Sequence, residues 1–263
     1  YYELTPAMDL SDIFAQISSG KEKSVNVSIP EGLTITKIAD RLKKAGFKNV
    51  DDFEACATHE GKNILASYGV KIKNETVEGF LFPDTYNIPV SYTSEKIIRL
   101  MVDNFFEHLK KFEGLDGIEK RDDFYQILIL ASIVEREYRA DDEAKSIAGV
   151  FYNRLKINMP LQSCATIEYI ITEINHRPHP DRIIYSDLES TSPYNTYKYQ
   201  GLPPSPISNP GHTALYAAAN PEKNNYLYFT LTDAAAGRHT FSSNLDAHVQ
   251  ATNEFRTKRD ANN

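Results

Sequence analysis

From Phe124 to Val134 the sequence is almost continuously apolar: Phe124, Ile127, Leu128, Ile129, Leu130, Ala131, Ile133 and Val134 leave few polar positions. A helix without a polar face cannot lie on a surface, so the segment predicts a helix buried on all sides, with the rest of the chain packed around it. It falls short of the run of about 18 apolar residues that crosses a membrane, and no such run occurs elsewhere. Glu135 follows directly. A carboxylate at the mouth of a buried helix loses hydration in its charged form, which raises its pKa toward the range useful to a general acid. The same residue also reads as an exposed helix-end glutamate or as an ion-pair partner of Arg136 or Arg139. Glu137, two residues on, must point to another side of a helix and is the weaker candidate.

With 263 residues, 41% of them hydrophobic and 25% charged, the chain can bury one large core, or a main core and a small one. Its 29 basic and 36 acidic side chains give a net charge of −7, which argues against affinity based on neutralising nucleic-acid phosphates, so no nucleic-acid partner is expected. Two cysteines, Cys56 and Cys164, are too few for a disulfide scaffold or a tetrahedral sulfur site. His176, His179 and Asp181 lie in a proline-interrupted loop, and no metal or cofactor is expected from them. Phosphate-binding glycine loops, a serine elbow and a His-Glu-x-x-His helix are absent, as is a local signature that would make Cys164 a nucleophile.

Along the chain, Val25, Val27 and Ile29 alternate as in a half-buried strand that the Pro30-Glu31-Gly32 turn stops. Thr34 then caps a helix through Ile35, Ile38, Ala39 and Leu42 that ends at Gly46, and Asp51 or Asp52 caps a second with Phe53 and Cys56 inward. Near residue 75 the texture changes to an aromatic extended run, Glu78 to Pro89, and a domain boundary is expected there. Helices follow from Ser94 to Leu109, from Ala144 to Lys156 and from Thr166 to Ile174. Residues 175 to 212 are too rich in proline and glycine for continuous helix. A helix through Leu215 and Ala218 leads to a buried strand expected at Tyr226 to Phe229. Within the loop region Tyr194, Tyr197 and Tyr199, with Asn195 and Thr196, offer flat apolar faces with polar tips, suited to sugars or to packing the loop on the body.

Taken together, Glu78-Gly-Phe-Leu-Phe-Pro-Asp-Thr-Tyr86, Ala131-Ser-Ile-Val-Glu135, Ala148-Gly-Val-Phe-Tyr-Asn-Arg-Leu155, Met159-Pro-Leu-Gln-Ser163, Ser192-Pro-Tyr-Asn-Thr-Tyr197, Gly201-Leu-Pro-Pro204 and Asn209-Pro-Gly211 resemble, in order, the motifs of the YceG-like (MltG) endolytic murein transglycosylases. The resemblance covers about residues 76 to 245, and Ser28-Ile-Pro-Glu-Gly32 is similar to the small LysM-like module of that family. It implies an α+β chain: a LysM-like peptidoglycan-binding module with an N-terminal leader over residues 1–75, then a larger mixed α+β catalytic domain over 76–263. It implies Glu135 as the catalytic acid, with Gln162, Ser163, Tyr194 and Asn195 around the reacting sugar and Tyr152, Asn153 and Arg154 either beside it or bracing the loop. It also implies peptidoglycan glycan strands as substrate, cell-wall synthases as partners, and a single N-terminal membrane helix holding the catalytic part on the extracytoplasmic face. Two departures stand out. Cys164-Ala165 replaces an Asp-Pro common in the family, and Ser205 replaces a glycine.

Two other functions fit the same residues: a non-catalytic peptidoglycan-binding scaffold and a hydrolytic muramidase. On the transglycosylase reading, the first unit is expected to hold glycan and the second to cut it.

Overall fold

The computed structural model describes residues 2, 4–20, 22–70, 72 and 74–261. A short helix, α1 (Leu10–Ser18), is capped by Asp9 and leaves Leu10 and Phe14 exposed. The alternating Val25, Val27 and Ile29 then form β1 (Ser24–Ile29), burying Val27 and Ile29. Gly32 turns the chain at φ +73, a conformation that disfavours side chains. The Thr34 hydroxyl accepts the Lys37 N–H and opens α2 (Ile35–Lys44), whose Ile35, Ile38, Ala39 and Leu42 make one buried face. After α3 (Phe53–His59) and α4 (Gly61–Ala66), β2 (Asp84–Pro89) returns antiparallel to β1, with Val27 opposite Tyr86 and Ile29 opposite Asp84.

This pairing spans the boundary expected near residue 75. β1 lies before it and β2 after it, and one continuous core runs from Val27 through Phe80, Phe105 and Leu128 to Ala218. The physical reason is that a lone strand cannot satisfy its own N–H and C=O groups, and the aromatic run after Glu78 supplies the partner.

The helix α5 (Ser94–Lys111), capped by Thr93, packs Ile97, Met101, Phe105 and Leu109 inward. The apolar run forms α6 (Phe124–Val134), buried on all sides, from Ile127 to Val134 without interruption. It packs between α7 (Ala144–Lys156) and, further on, α10 (His212–Ala219). Between these two, α8 (Cys164–Tyr169) runs into a π-helical turn (Ile170–Ile174), and α9 (Tyr185–Leu188) is a single turn in the proline-rich region. A hairpin of β3 (Tyr228–Asp233) and β4 (Arg238–Ser242) precedes the terminal helix α11 (Leu245–Ala261).

The fold is thus mixed α and β, with two small two-stranded sheets among the described residues. The strand expected at Tyr226 to Phe229 begins two residues later and is only half-buried, because β3 is one arm of a hairpin covered on one side by α11. Among the described residues no helix is long and apolar enough to cross a membrane.

Candidate active site

Glu135 is the C-terminal cap of α6, its N–H donating to the Ala131 carbonyl at 2.8 Å. Its Oε2 accepts the Gly211 N–H at 2.9 Å, and Tyr138 donates its hydroxyl to Oε1 at 3.4 Å. Burial pushes the carboxyl up to about 7; the Gly211 and Tyr138 hydrogen bonds pull against this, and the neighbouring carboxylates of Glu31 and Asp141 add to it. The group can therefore hold a proton near neutral pH and also has a donor ready for the anion it leaves behind.

The segment that brings Gly211 to Glu135 is fastened to α6 by hydroxyls. Ser132 accepts the Ile207 N–H at 2.9 Å, and Ser208 donates to the Ser132 carbonyl at 3.0 Å. Asn209 then joins three distant stretches of chain. Its Oδ1 accepts the N–H groups of Gly79 and Leu81, and its Nδ2 donates to the Leu33 carbonyl and to Glu78 Oε1. Its backbone exchanges two further bonds with the turn after β1: Gly32 N–H to Asn209 O at 2.9 Å, and Asn209 N–H to Leu33 O at 2.8 Å. The N-terminal unit is therefore docked beside Glu135 by main-chain bonds, and a Cβ on Gly32 would lie 3.6 Å from Glu135 Cγ.

The other carboxylate, Glu137, faces away from this point. It accepts a short hydrogen bond from the Ser163 hydroxyl, and burial pushes it up to about 7. It lines a cavity of about 360 Å³ with Arg154, Gln162, Cys164, Tyr197 and His248. Gln162 sits at φ +50, a left-handed conformation costly for a residue with a side chain, and its N–H donates to the Thr196 carbonyl at 3.0 Å. The Ser163 N–H donates to the Thr196 hydroxyl, which also pairs with Thr166 at 2.8 Å. The Gln162–Thr166 and Ser192–Tyr197 motifs are thus one laced unit, with Gln162 and Cys164 exposed along it.

Not every expected site residue keeps a polar group for a ligand. Asn195 is fully buried; its amide donates to the Leu188 and Ser190 carbonyls at 2.8 Å and its oxygen accepts from Tyr197 N–H. The Tyr194 and Ser205 hydroxyls pair at 2.5 Å. Tyr152, Asn153 and Arg154 each donate to main-chain carbonyls. Tyr152 donates to Ala218 O at 2.9 Å, Asn153 to Tyr226 O at 2.9 Å, and Arg154 to Leu227 O at 2.6 Å and Leu161 O at 2.8 Å. Carbonyls in the last turn of α10 and in the irregular chain around them need donors, and these three supply them. Sequence inspection missed Glu31, Tyr138, Asn209 and Gly211. The Pro30-Glu31-Gly32 turn was visible, but nothing local says which distant residue a turn will face.

The YceG-like family model matches residues 1–254. The chain belongs to the YceG-like family. An endolytic murein transglycosylase of Bacillus subtilis (strain 168) is 32% identical over 97% of this chain and 72% of its own length. An endolytic murein transglycosylase of Streptococcus pneumoniae (serotype 2 strain D39) is 30% identical over 94% of this chain, which spans about half, 49%, of that relative. The crystal structure of a yceG-like protein from Listeria monocytogenes superposes with a TM-score of 0.72 at 35% identity, covering 95% of this chain and 83% of that one. The YceG-like match begins at the first residue, so the docked N-terminal unit falls within the family's own extent.

Proposed function

We infer that this chain is an endolytic murein transglycosylase that cleaves the MurNAc-GlcNAc bond within glycan strands, with Glu135 as its acid and then its base. The relatives' names support the activity; one observation supports the residue. Glu135 is a desolvated carboxyl at the end of the buried helix α6, its proton favoured by burial and its anion met by the Gly211 N–H.

The chemistry needs one such group. Glu135 protonates the oxygen leaving the MurNAc anomeric carbon as the C1–O bond breaks. The resulting carboxylate accepts the proton of the same sugar's C6 hydroxyl while that oxygen closes on C1, giving a 1,6-anhydroMurNAc end without consuming water. A retaining or inverting hydrolase would instead use a second carboxylate as nucleophile or water-activating base, so the products rather than the number of carboxyl groups separate the two. Of Gln162, Ser163, Tyr194 and Asn195, Gln162 is the exposed one and is kept as a proposed sugar contact, although it lines the Glu137 cavity.

The proposed LysM-like module takes in β1, α2, α3 and α4, and its strand β1 pairs with β2. Family resemblance supports action at the extracytoplasmic face of a bacterial membrane, through a single N-terminal anchor and beside cell-wall synthases.

The deciding experiment digests peptidoglycan with the parent and with Glu135→Gln and reads the products by mass spectrometry. Anhydro ends from the parent are expected; reducing ends would make it a muramidase, and no cleavage a binding scaffold. A folded Glu135→Gln protein should retain less than a tenth of parental turnover, since general acid–base catalysis is worth ~10²–10⁴-fold.

A further inference from the structure

The turn after β1 brings a second carboxylate to Glu135 from the other end of the sequence. A Cβ built on Gly211 would fall 2.4 Å from Glu31 Cγ and 2.7 Å from Glu31 Oε1, so the Glu31 side chain lies directly against Gly211. The N–H of that same Gly211 is 2.9 Å from Glu135 Oε2. With ordinary N–Cα and Cα–Cβ bond lengths, the two carboxyl groups are less than about 9 Å apart across one residue. This placement does not depend on a flexible surface loop, because Gly32 and Leu33 on one side and Asn209 on the other exchange main-chain hydrogen bonds.

We propose that Glu31 is a positioning residue for the reaction, a carboxylate held across Gly211 from Glu135 whose negative charge opposes early loss of the acid's proton. The inference rests on Glu135 being the acid. Glu31 is exposed to solvent. The groups facing Glu135 are Tyr138 and Asp141 from the chain just beyond α6, the Gly211 N–H from the segment before α10, and Glu31 from the turn after β1. Gly211 and Tyr138 stabilise the anion, while Glu31 and Asp141 stabilise the neutral acid. A group that must give a proton and take one back in the same cycle is served by this opposition, since neither state is made too stable. Gly211 has no Cβ for the same reason: a methyl there would displace Glu31.

The test is the pH dependence of kcat/KM on glycan strands for the full chain and for Glu31→Gln, Glu31→Asp, Gly211→Ala and Glu135→Gln. Without the Glu31 charge Glu135 gives up its proton more readily, so Glu31→Gln should move the alkaline limb to lower pH by roughly half a unit to one unit, the effect of one nearby charge in a water-rich site. Glu31→Asp keeps the charge and should restore the limb toward its parental position. Gly211→Ala keeps the N–H and all charges but pushes the Glu31 side chain away, so the limb should again move down. A purely structural role for Glu31 would lower activity at every pH and the melting temperature with it, leaving the limb in place. An unmoved limb in folded Glu31→Gln, with Glu135→Gln inactive, would overturn this inference alone. An active Glu135→Gln enzyme would overturn the acid assignment and this inference with it.

Discussion

Asn209 and Glu78 meet at 2.7 Å in the interior, Nδ2 to Oε1, where one side chain of the segment before α10 and one from the approach to β2 are both almost fully buried. Glu78 also accepts the Ile35 N–H through Oε2, at the start of α2. The pair therefore fastens α2, the approach to β2 and the segment carrying Gly211 at one point. Because every polar atom involved is satisfied there, removing Asn209 leaves two N–H groups, a carbonyl and a carboxyl oxygen without that partner.

Asn209→Ala is expected to destabilise the fold by about 3 kcal/mol or more, as each buried group left unsatisfied costs ~1–3 kcal/mol. Urea unfolding followed by circular dichroism measures it. A loss below 1 kcal/mol would mean that water takes the place of the amide.

Stability should decline from pH 5 toward pH 8.5. Burial raises Glu78 to about 8 and Glu135 and Glu137 to about 7, all above the ordinary 4.5. The folded chain thus binds protons that the unfolded chain has released. That contribution is complete below the unfolded value and is lost as pH rises through the folded values. Glu137→Gln removes one of the three while keeping an oxygen that can accept from Ser163, so its melting temperature should depend less steeply on pH. Calorimetry from pH 5 to 8.5 measures both slopes; parallel slopes for variant and parent would remove Glu137 from the set.

Activity should follow the Glu135 proton. Since the acid must be protonated at the start of the cycle, kcat/KM is expected to fall as pH rises through about 7, with the low-pH side set by other groups. A parental profile that stays flat to pH 9 would show that the group titrating at about 7 is not the acid.

The helices were largely legible in the sequence, and so was the place of Glu135 at the end of a buried helix, because each rests on local pattern: Thr34 and Thr93 as caps, Ile35 to Leu42 at helical spacing, α6 without a polar face. What was not legible is long-range. The β1–β2 pairing joins Val27 to Tyr86, and the docking of Gly32 on Asn209 spans most of the chain; periodicity carries no record of either partner. The same gap hides the partners of Tyr152, Asn153 and Arg154: nothing local signals the carbonyls at Ala218, Tyr226, Leu227 and Leu161 to which they donate.

Cys164→Ser should leave turnover within a few-fold of the parent. The Cys164 sulfur lies 3.0 Å from the Tyr197 hydroxyl, and burial raises its pKa, which keeps it a thiol rather than the nucleophilic thiolate. A serine hydroxyl can make the same contact. Activity assays with the variant, and with the parent after thiol alkylation, test this; a folded but inactive Cys164→Ser would bring the cysteine into the chemistry.

Removing residues 1–75 should abolish the fold and the rate together, contrary to the division of labour expected of a binding unit and a separate cutting unit. A tethered binding module acts by raising local substrate concentration, so its loss weakens capture and spares the bond-breaking step. Here the first unit contributes β1 to the sheet with β2, the Ile35 N–H to Glu78, the Leu33 carbonyl to Asn209, and the turn that presents Glu31. Without it, β2 becomes an open edge, and the buried faces of Phe80 and Ile88 lose part of their cover. The measurements are a thermal melt and single-turnover cleavage at saturating glycan for the full chain and for residues 76–263. A broad, non-cooperative melt and a collapsed rate constant are expected for the shorter chain. A cooperative melt with the parental rate constant and weaker binding to long strands would show instead that the N-terminal unit only tethers substrate, and that the contacts around Asn209 are dispensable for cleavage.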